Sequence, residues 1–157
     1  MKSLRQRKRL LQKLRDEMPV TTDGHSVRLY ANIALPEDMP DARKAGANGI
    51  GLFRTEFLFL NRDALPDEEE QVSAYQKVIR GMRGKTVTIR TADLGGDKMT
   101  SKEALALLGE AEFDEENPAL GLRGLRFAFT HRPFFITQLR AIMRAATSAP
   151  EGTVRIL

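Results

Sequence analysis

The chain has no cysteine, no tryptophan and only two histidines in 157 residues. Without cysteine there is no disulfide framework, no thiol nucleophile and no cysteine-based metal site. No apolar run approaches the length of a membrane span, and the basic N-terminus lacks the apolar core of a secretory signal, so a cytoplasmic location is expected. Aromatic residues are 6% of the chain and none falls in the basic N-terminal stretch. A stacking platform for nucleic acid is therefore missing, which leaves nonspecific phosphate contact at most. His25 follows a turn and His131 lies between two expected helices; neither is flanked by a base or a metal-ligand pattern, and both read as surface residues.

What is present suits one soluble globular domain, with 41% hydrophobic and 29% charged residues. The net charge of +4 is uneven, because Lys2, Arg5, Arg7, Lys8, Arg9, Lys13 and Arg15 give the first 17 residues +5 and the rest of the chain −1. Leu4, Leu11, Leu14 and Met18 add one apolar stripe, so residues 1–18 read as a basic amphipathic helix ended by Pro19. This is a solvated helix face or a docking arm.

From residue 20 to 157 the pattern alternates between strand and helix. A buried strand is expected over 27–33, a short helix opened by Pro36 over 37–45, and a second strand over 49–54. Asp67 with Glu70 forms an N-terminal cap signature for a helix whose inward face is Val72, Tyr75, Ile79 and Met82. A third strand follows at 86–90, then a short helix near 102–108 and an acidic loop from Glu112 to Glu116. Helices are expected at about 120–130 and 133–146, the second started by Pro133 and turning Phe135, Leu139, Ile142 and Ala146 inward. Val154 to Leu157 opens a fourth strand. Such alternation implies α/β architecture with a parallel sheet. Three units and a fourth strand fall short of a closed (β/α)8 barrel of about 250 residues, so a partial, truncated barrel is expected.

Chemistry in parallel α/β folds gathers at the carboxyl ends of strands. Arg54 and Arg90 close the second and third strands, in Gly-Ile-Gly-Leu-Phe-Arg-Thr-Glu and Thr-Val-Thr-Ile-Arg-Thr-Ala-Asp. Adjacent strands lie about 4.8 Å apart, so two permanent charges would crowd where a multiply anionic guest is favoured. The plainer alternative is that each arginine pairs with a nearby acid, Glu56 or Asp93. Lys98 lies beyond Leu94-Gly95-Gly96-Asp97, where glycines allow backbone amides near a ligand. Arg123 falls in or near the first turn of a helix fed by Glu116-Asn117-Pro118. Gly49-Ile50-Gly51 lacks the third glycine of a dinucleotide fingerprint and is not read as one.

Together, residues 49–59, 67–71, 89–98 and 116–124 resemble Enzyme I of the bacterial phosphoenolpyruvate-dependent sugar phosphotransferase system, over roughly 20–157. Pyruvate phosphate dikinase and phosphoenolpyruvate synthase share the Arg-Thr-Glu element, whereas Asp-Leu-Gly-Gly-Asp-Lys favours Enzyme I. The resemblance implies a phosphoenolpyruvate-binding (β/α)8 barrel domain in which Arg54, Arg90, Lys98 and Arg123 line the substrate site. It implies Mg²⁺-assisted phosphoryl transfer from phosphoenolpyruvate to a histidine, and then to the histidine phosphocarrier protein. The Mg²⁺ ligands and catalytic cysteine it implies lie past Leu157, and no phosphohistidine motif is present, so this chain alone is not expected to turn over. Self-association, as a homodimer covering open strand edges, is expected. A different class also fits: a non-catalytic interaction or regulatory module that keeps the fold and docks through the basic helix to an acidic protein or nucleic acid.

Overall fold

The computed structural model describes residues 2–60, 62, 64–94, 117 and 120–157. Four strands, β1 (Tyr30–Ile33), β2 (Gly49–Arg54), β3 (Val87–Arg90) and β4 (Val154–Ile156), form one parallel sheet in the order β1-β2-β3-β4. Among the described residues the α-helices are α1 (Lys2–Leu14), α2 (Met39–Lys44), α3 (Glu68–Gly81), α4 (Leu125–Thr130) and α5 (Arg132–Ala146). The α/β class and parallel sheet are as the alternation predicts, and among the described residues the sheet is not closed on itself. The expected helix near 102–108 and the acidic loop 112–116 lie outside the described residues.

Ile33, Ile50, Phe53, Val87 and Ile89 face α2, α3 and α5, whose Met39, Tyr75, Val78, Ile79, Ala141, Ile142 and Ala145 complete the main core. Phe53 and Tyr75 meet edge to face, with ring centroids 6.1 Å apart, a geometry favoured by the aromatic quadrupole. Strand positions that alternate with the core, Asn32, Leu52, Thr88 and Arg155, are half-buried or exposed. Among the described residues, helices thus cover one face of the sheet only. Outside that core, Arg144 and Arg140 reach from α5 to Glu68 at 2.8 and 3.0 Å. The bond from Arg144 holds the Glu68 carboxyl below its ordinary range.

The middle of β2 departs from a regular ladder. Ile50 pairs with Val87 and Phe53 with Ile89, three residues matched to two, and on the other side Ala31 and Asn32 face Ile50 and Leu52. Gly51 is therefore an extra residue against both neighbours, a bulge of the kind that bends a strand locally. A Cβ on Gly51 would lie 2.8 Å from Cβ of Tyr30, and one on Gly49 2.5 Å from the Tyr30 ring. Only glycine lets β1 and β2 approach this closely.

Several predicted boundaries move. Strand β1 is Tyr30–Ile33 rather than 27–33, because residues 19–29 double back through the Val20–Ser26 antiparallel bridge and leave Val27 and Leu29 exposed. Helix α1 stops at Leu14, ahead of Met18, and Leu11, Leu14 and Met18 are exposed. Helix α4 begins at Leu125 rather than 120, since Gly124 ahead of it takes φ +56. Helix α3 matches its prediction: the Asp67 side chain caps the Glu70 amide, and Val72, Tyr75, Ile79 and Met82 are buried. In α5 the fully buried residues are Gln138, Ala141, Ile142 and Ala145, so Phe135, Leu139 and Ala146 are displaced to half-buried flanks. Small alanines let α5 lie close against α3, and that contact turns the buried face away from the larger side chains.

Candidate functional site

Arg54 and Arg90 are cross-strand partners in the β2–β3 ladder, at its carboxyl end. Their side chains are treated differently. Arg54 is exposed, lies over the Phe57 ring at 4.9 Å, and makes no ion pair among the described residues. A guanidinium over an aromatic face is held in place without losing charge to a counterion. Arg90 donates to Glu56 through Nη2 and approaches Asp93 at 4.0 Å, so the alternative of a rim arginine paired with acids describes Arg90 and not Arg54.

Glu56 is 3% exposed, and its Oε1 also accepts the Asp93 backbone N–H at 3.1 Å. The pairing is incomplete: Glu56 Oε2 and Arg90 Nε are buried with no hydrogen-bond partner. It lacks the two-point fork that makes arginine–carboxylate pairs strong.

Arg123, from the turn before α4, joins this group from 30 positions beyond Asp93 along the chain. Its Nε and Nη2 donate to the two oxygens of Asp93 at 3.0 and 2.9 Å. Gly124, next in the chain, takes φ +56, a backbone conformation that favours glycine. Three predicted cations, Arg54, Arg90 and Arg123, thus come from two strand ends and one turn, with Glu56 and Asp93 interposed. The fourth, Lys98, lies outside the described residues, as do Gly95, Gly96 and Asp97.

Beneath the strand ends, Phe59, Ala92, Leu94 and Phe127 form a second apolar cluster, with Leu58, Leu122 and Phe134 against it. It packs the segments that follow β2 and β3 on the start of α4 and α5. Below lies a buried polar chain that sequence periodicity missed: Thr55 Oγ1 donates to the Arg90 carbonyl at 2.7 Å, and Gln138, Tyr75 and Gln71 continue from Thr55. Burial pushes the Tyr75 phenol well above its usual value, so it acts there as a neutral hydroxyl.

His25 is exposed at a turn, and the His131 ring stacks on Phe127 with centroids 4.4 Å apart. Among the described residues no three His, Cys, Asp or Glu side chains gather as a metal would require, and no helix is long and apolar enough to cross a membrane.

Comparison with known proteins agrees with the resemblance drawn from the motifs. The model of the family described as PEP-utilising enzyme, PEP-binding domain, matches residues 8–157. The chain belongs to that family. Proteins named phosphoenolpyruvate-protein phosphotransferase from Staphylococcus carnosus (strain TM300) and Staphylococcus aureus are 50% and 48% identical over 139 residues, 88% of this chain. One of the same name from Cupriavidus necator is 47% identical over 151 residues, 96% of this chain. The chain spans 23% of the length of the two staphylococcal relatives and 24% of the third.

Proposed function

We propose that this chain supplies the phosphoenolpyruvate-cradling strand ends of a phosphoenolpyruvate-protein phosphotransferase, with Arg54, Arg90, Lys98 and Arg123 as the substrate-binding cations. The observation that carries the reading is the direct pairing of Arg54 with Arg90 across β2 and β3, beside Arg123. Phosphoenolpyruvate carries a carboxylate and a phosphate ester on the same enol carbon, and a cluster of guanidinium forks matches both groups. Phosphoryl transfer depends on positioning and on neutralising charge spread over the equatorial oxygens. Arg54 is accessible at once. Arg90 and Arg123 require the incoming anion to compete with Glu56 and Asp93.

On this reading, residues 20–157 are part of a (β/α)8 barrel domain preceded by the basic helix of residues 1–18. The sheet face that carries no helix among the described residues supports it, because the inside of such a barrel carries no helices. The reaction is transfer of the phosphoryl group to a histidine and on to the histidine phosphocarrier protein, in the cytoplasm. His25 is exposed and the His131 ring is stacked on Phe127, and neither is assigned as the acceptor. The Mg²⁺ of the family's reaction would neutralise phosphate charge, and its ligands are not a cluster among the described residues. Self-association belongs to the same reading: Leu125, Phe129, Ile136 and Met143 expose apolar surface on α4 and α5, of the sort that subunit contacts cover. Light scattering that shows only monomer at high concentration would remove that part.

Calorimetric titration with phosphoenolpyruvate and Mg²⁺ tests the whole. The native chain is expected to bind, and Arg54→Ala and Arg90→Ala each to weaken binding by more than about tenfold, since a charged hydrogen bond contributes about 1.5–3 kcal/mol. Unchanged affinity in both variants would overturn the assignment.

A further inference from the structure

Gln138 lies in the middle of α5 and is 0% exposed. A buried amide must satisfy two N–H donors and a carbonyl, and an unmet one is destabilising. Here every demand is met by a group next to the arginines or by one that braces such a group. Gln138 Oε1 accepts the Ala92 backbone N–H at 2.9 Å, two residues after Arg90. Gln138 Nε2 donates to Thr55 Oγ1 at 3.0 Å, one residue after Arg54, and to the Tyr75 hydroxyl at 3.2 Å. Thr55 in turn donates to the Arg90 carbonyl. Tyr75 donates to Gln71 Oε1 at 3.2 Å, and Gln71 Nε2 donates to the Pro66 carbonyl at 3.1 Å. The amide cannot flip, because its oxygen must face an N–H and its nitrogen two hydroxyls.

We propose that Gln138 is a positioning residue for the anion site, one amide on α5 that clips the end of β2 at Thr55 to the end of β3 at Ala92 and so sets the separation of Arg54 and Arg90. The inference rests on the phosphoenolpyruvate reading of those arginines. Binding groups tolerate misplacement of only about 0.5 Å, and neither arginine is positioned by the hydrophobic core alone. The main core ends at Phe53 and Ile89, one residue short of each. Beyond those residues the strand ends are joined directly by Thr55 to the Arg90 carbonyl and by Glu56 to Arg90 and the Asp93 amide, and Gln138 is the residue that ties both ends to a helix.

A network that only stabilised the fold would lower stability when broken and leave ligand affinity alone in the population that stays folded. The test compares Gln138→Met, which keeps side-chain volume and removes all three hydrogen bonds, with Ile142→Ala, a buried core change one turn further along α5. Phosphoenolpyruvate and inorganic phosphate are titrated at a temperature where each variant is folded, and amide hydrogen exchange is followed at Ala92. Gln138→Met is expected to weaken phosphoenolpyruvate binding roughly tenfold, as loss of a supporting contact does, and to speed exchange at Ala92. Ile142→Ala is expected to lower the thermal midpoint at least as far while binding within about twofold of the native chain. Gln138→Glu keeps the acceptor for Ala92 and loses the donors, so its affinity falls between; it carries the comparison if Gln138→Met does not fold. Native affinity in Gln138→Met, or equal weakening in Ile142→Ala, overturns the proposal. A native chain that binds no phosphoenolpyruvate sinks the reading of the arginines and this inference with it. If the native chain binds, Arg54→Ala does not and Gln138→Met is unaffected, the positioning role alone fails.

Discussion

Arg54 and Arg90 face each other across two strands, share a following threonine in sequence, and live in opposite electrostatic circumstances. Arg54 is exposed and stacked on Phe57, with its charge unpaired among the described residues. Arg90 is drawn down onto a nearly buried glutamate and lies within 4.0 Å of Asp93. One arginine is ready for an arriving anion and the other has to be won from a carboxylate. The difference teaches that a cation cluster can be stable without ligand when its like charges are separated by acids, and that its affinity is set partly by those acids.

The comparison breaks most visibly in stability. Arg90→Ala strands the Glu56 carboxylate without its cation and is expected to cost about 2–4 kcal/mol, below the range for a fully buried pair because Arg90 keeps 27% of its side-chain surface exposed. Arg54→Ala is expected to stay within about 0.5 kcal/mol of the native chain, as surface substitutions do. Urea denaturation followed by circular dichroism separates the two, and equal losses would contradict the asymmetry. Tyr75→Phe, next in size, removes the hydroxyl between Gln138 and Gln71 and is expected to cost about 1–2 kcal/mol in the same measurement. Asp93→Asn releases Arg123 and Arg90 from a competing charge. It is expected to tighten phosphate binding by about fivefold, equivalent to roughly 1 kcal/mol for one ion-pair charge, read by calorimetry; weaker binding would show that Asp93 orients the arginines rather than competing for them.

The smallest effect concerns Asp38, whose carboxyl is held below its ordinary value of 3.8 first by the Leu35 and Ala34 amides and last by the charge of Arg54. A carboxylate with a depressed folded pKa stabilises the fold above its unfolded value and loses that contribution as pH falls through the folded one. Stability is therefore expected to decline as pH drops below 3.8. Arg54→Ala should raise the Asp38 midpoint slightly, measurable by carboxyl carbon NMR, and no change would mean that the Arg54 charge is screened from its surroundings.

Much of the scaffold was legible from local chemistry. The limits of β2, the Asp67 cap and the inward face of α3 follow from turn residues and a 3.6-residue period, and the arginine pairing follows from strand order. What escaped was non-local. Gln138 is polar and so counts against burial in any hydrophobic periodicity, yet three polar partners brought from β2, β3 and α3 make it a core residue. Asp93 and Arg123 meet across a turn in which Gly124 takes φ +56, a contact no spacing rule predicts. Strand β1 was read too long because Val27 and Leu29 are apolar, whereas Asn48 Oδ1 accepts the Leu29 amide in a loop.

The extra residue at Gly51 has a consequence for the arginines that its position, three residues before Arg54, does not suggest. Side chains on a strand obey odd–even parity, and on that count Ile50 and Phe53 belong to opposite faces; both are in the helix-covered core. The insertion reverses the phase of β2 halfway along, so Arg54, next after Phe53, emerges on the same uncovered side as Arg90, next after Ile89. Were β2 regular through Gly51 with Ile50 kept in the core, Arg54 would fall on the helix-covered face; the bulge absorbs the extra residue and keeps Arg54 opposite. Two like charges share one side of this sheet because a single glycine miscounts.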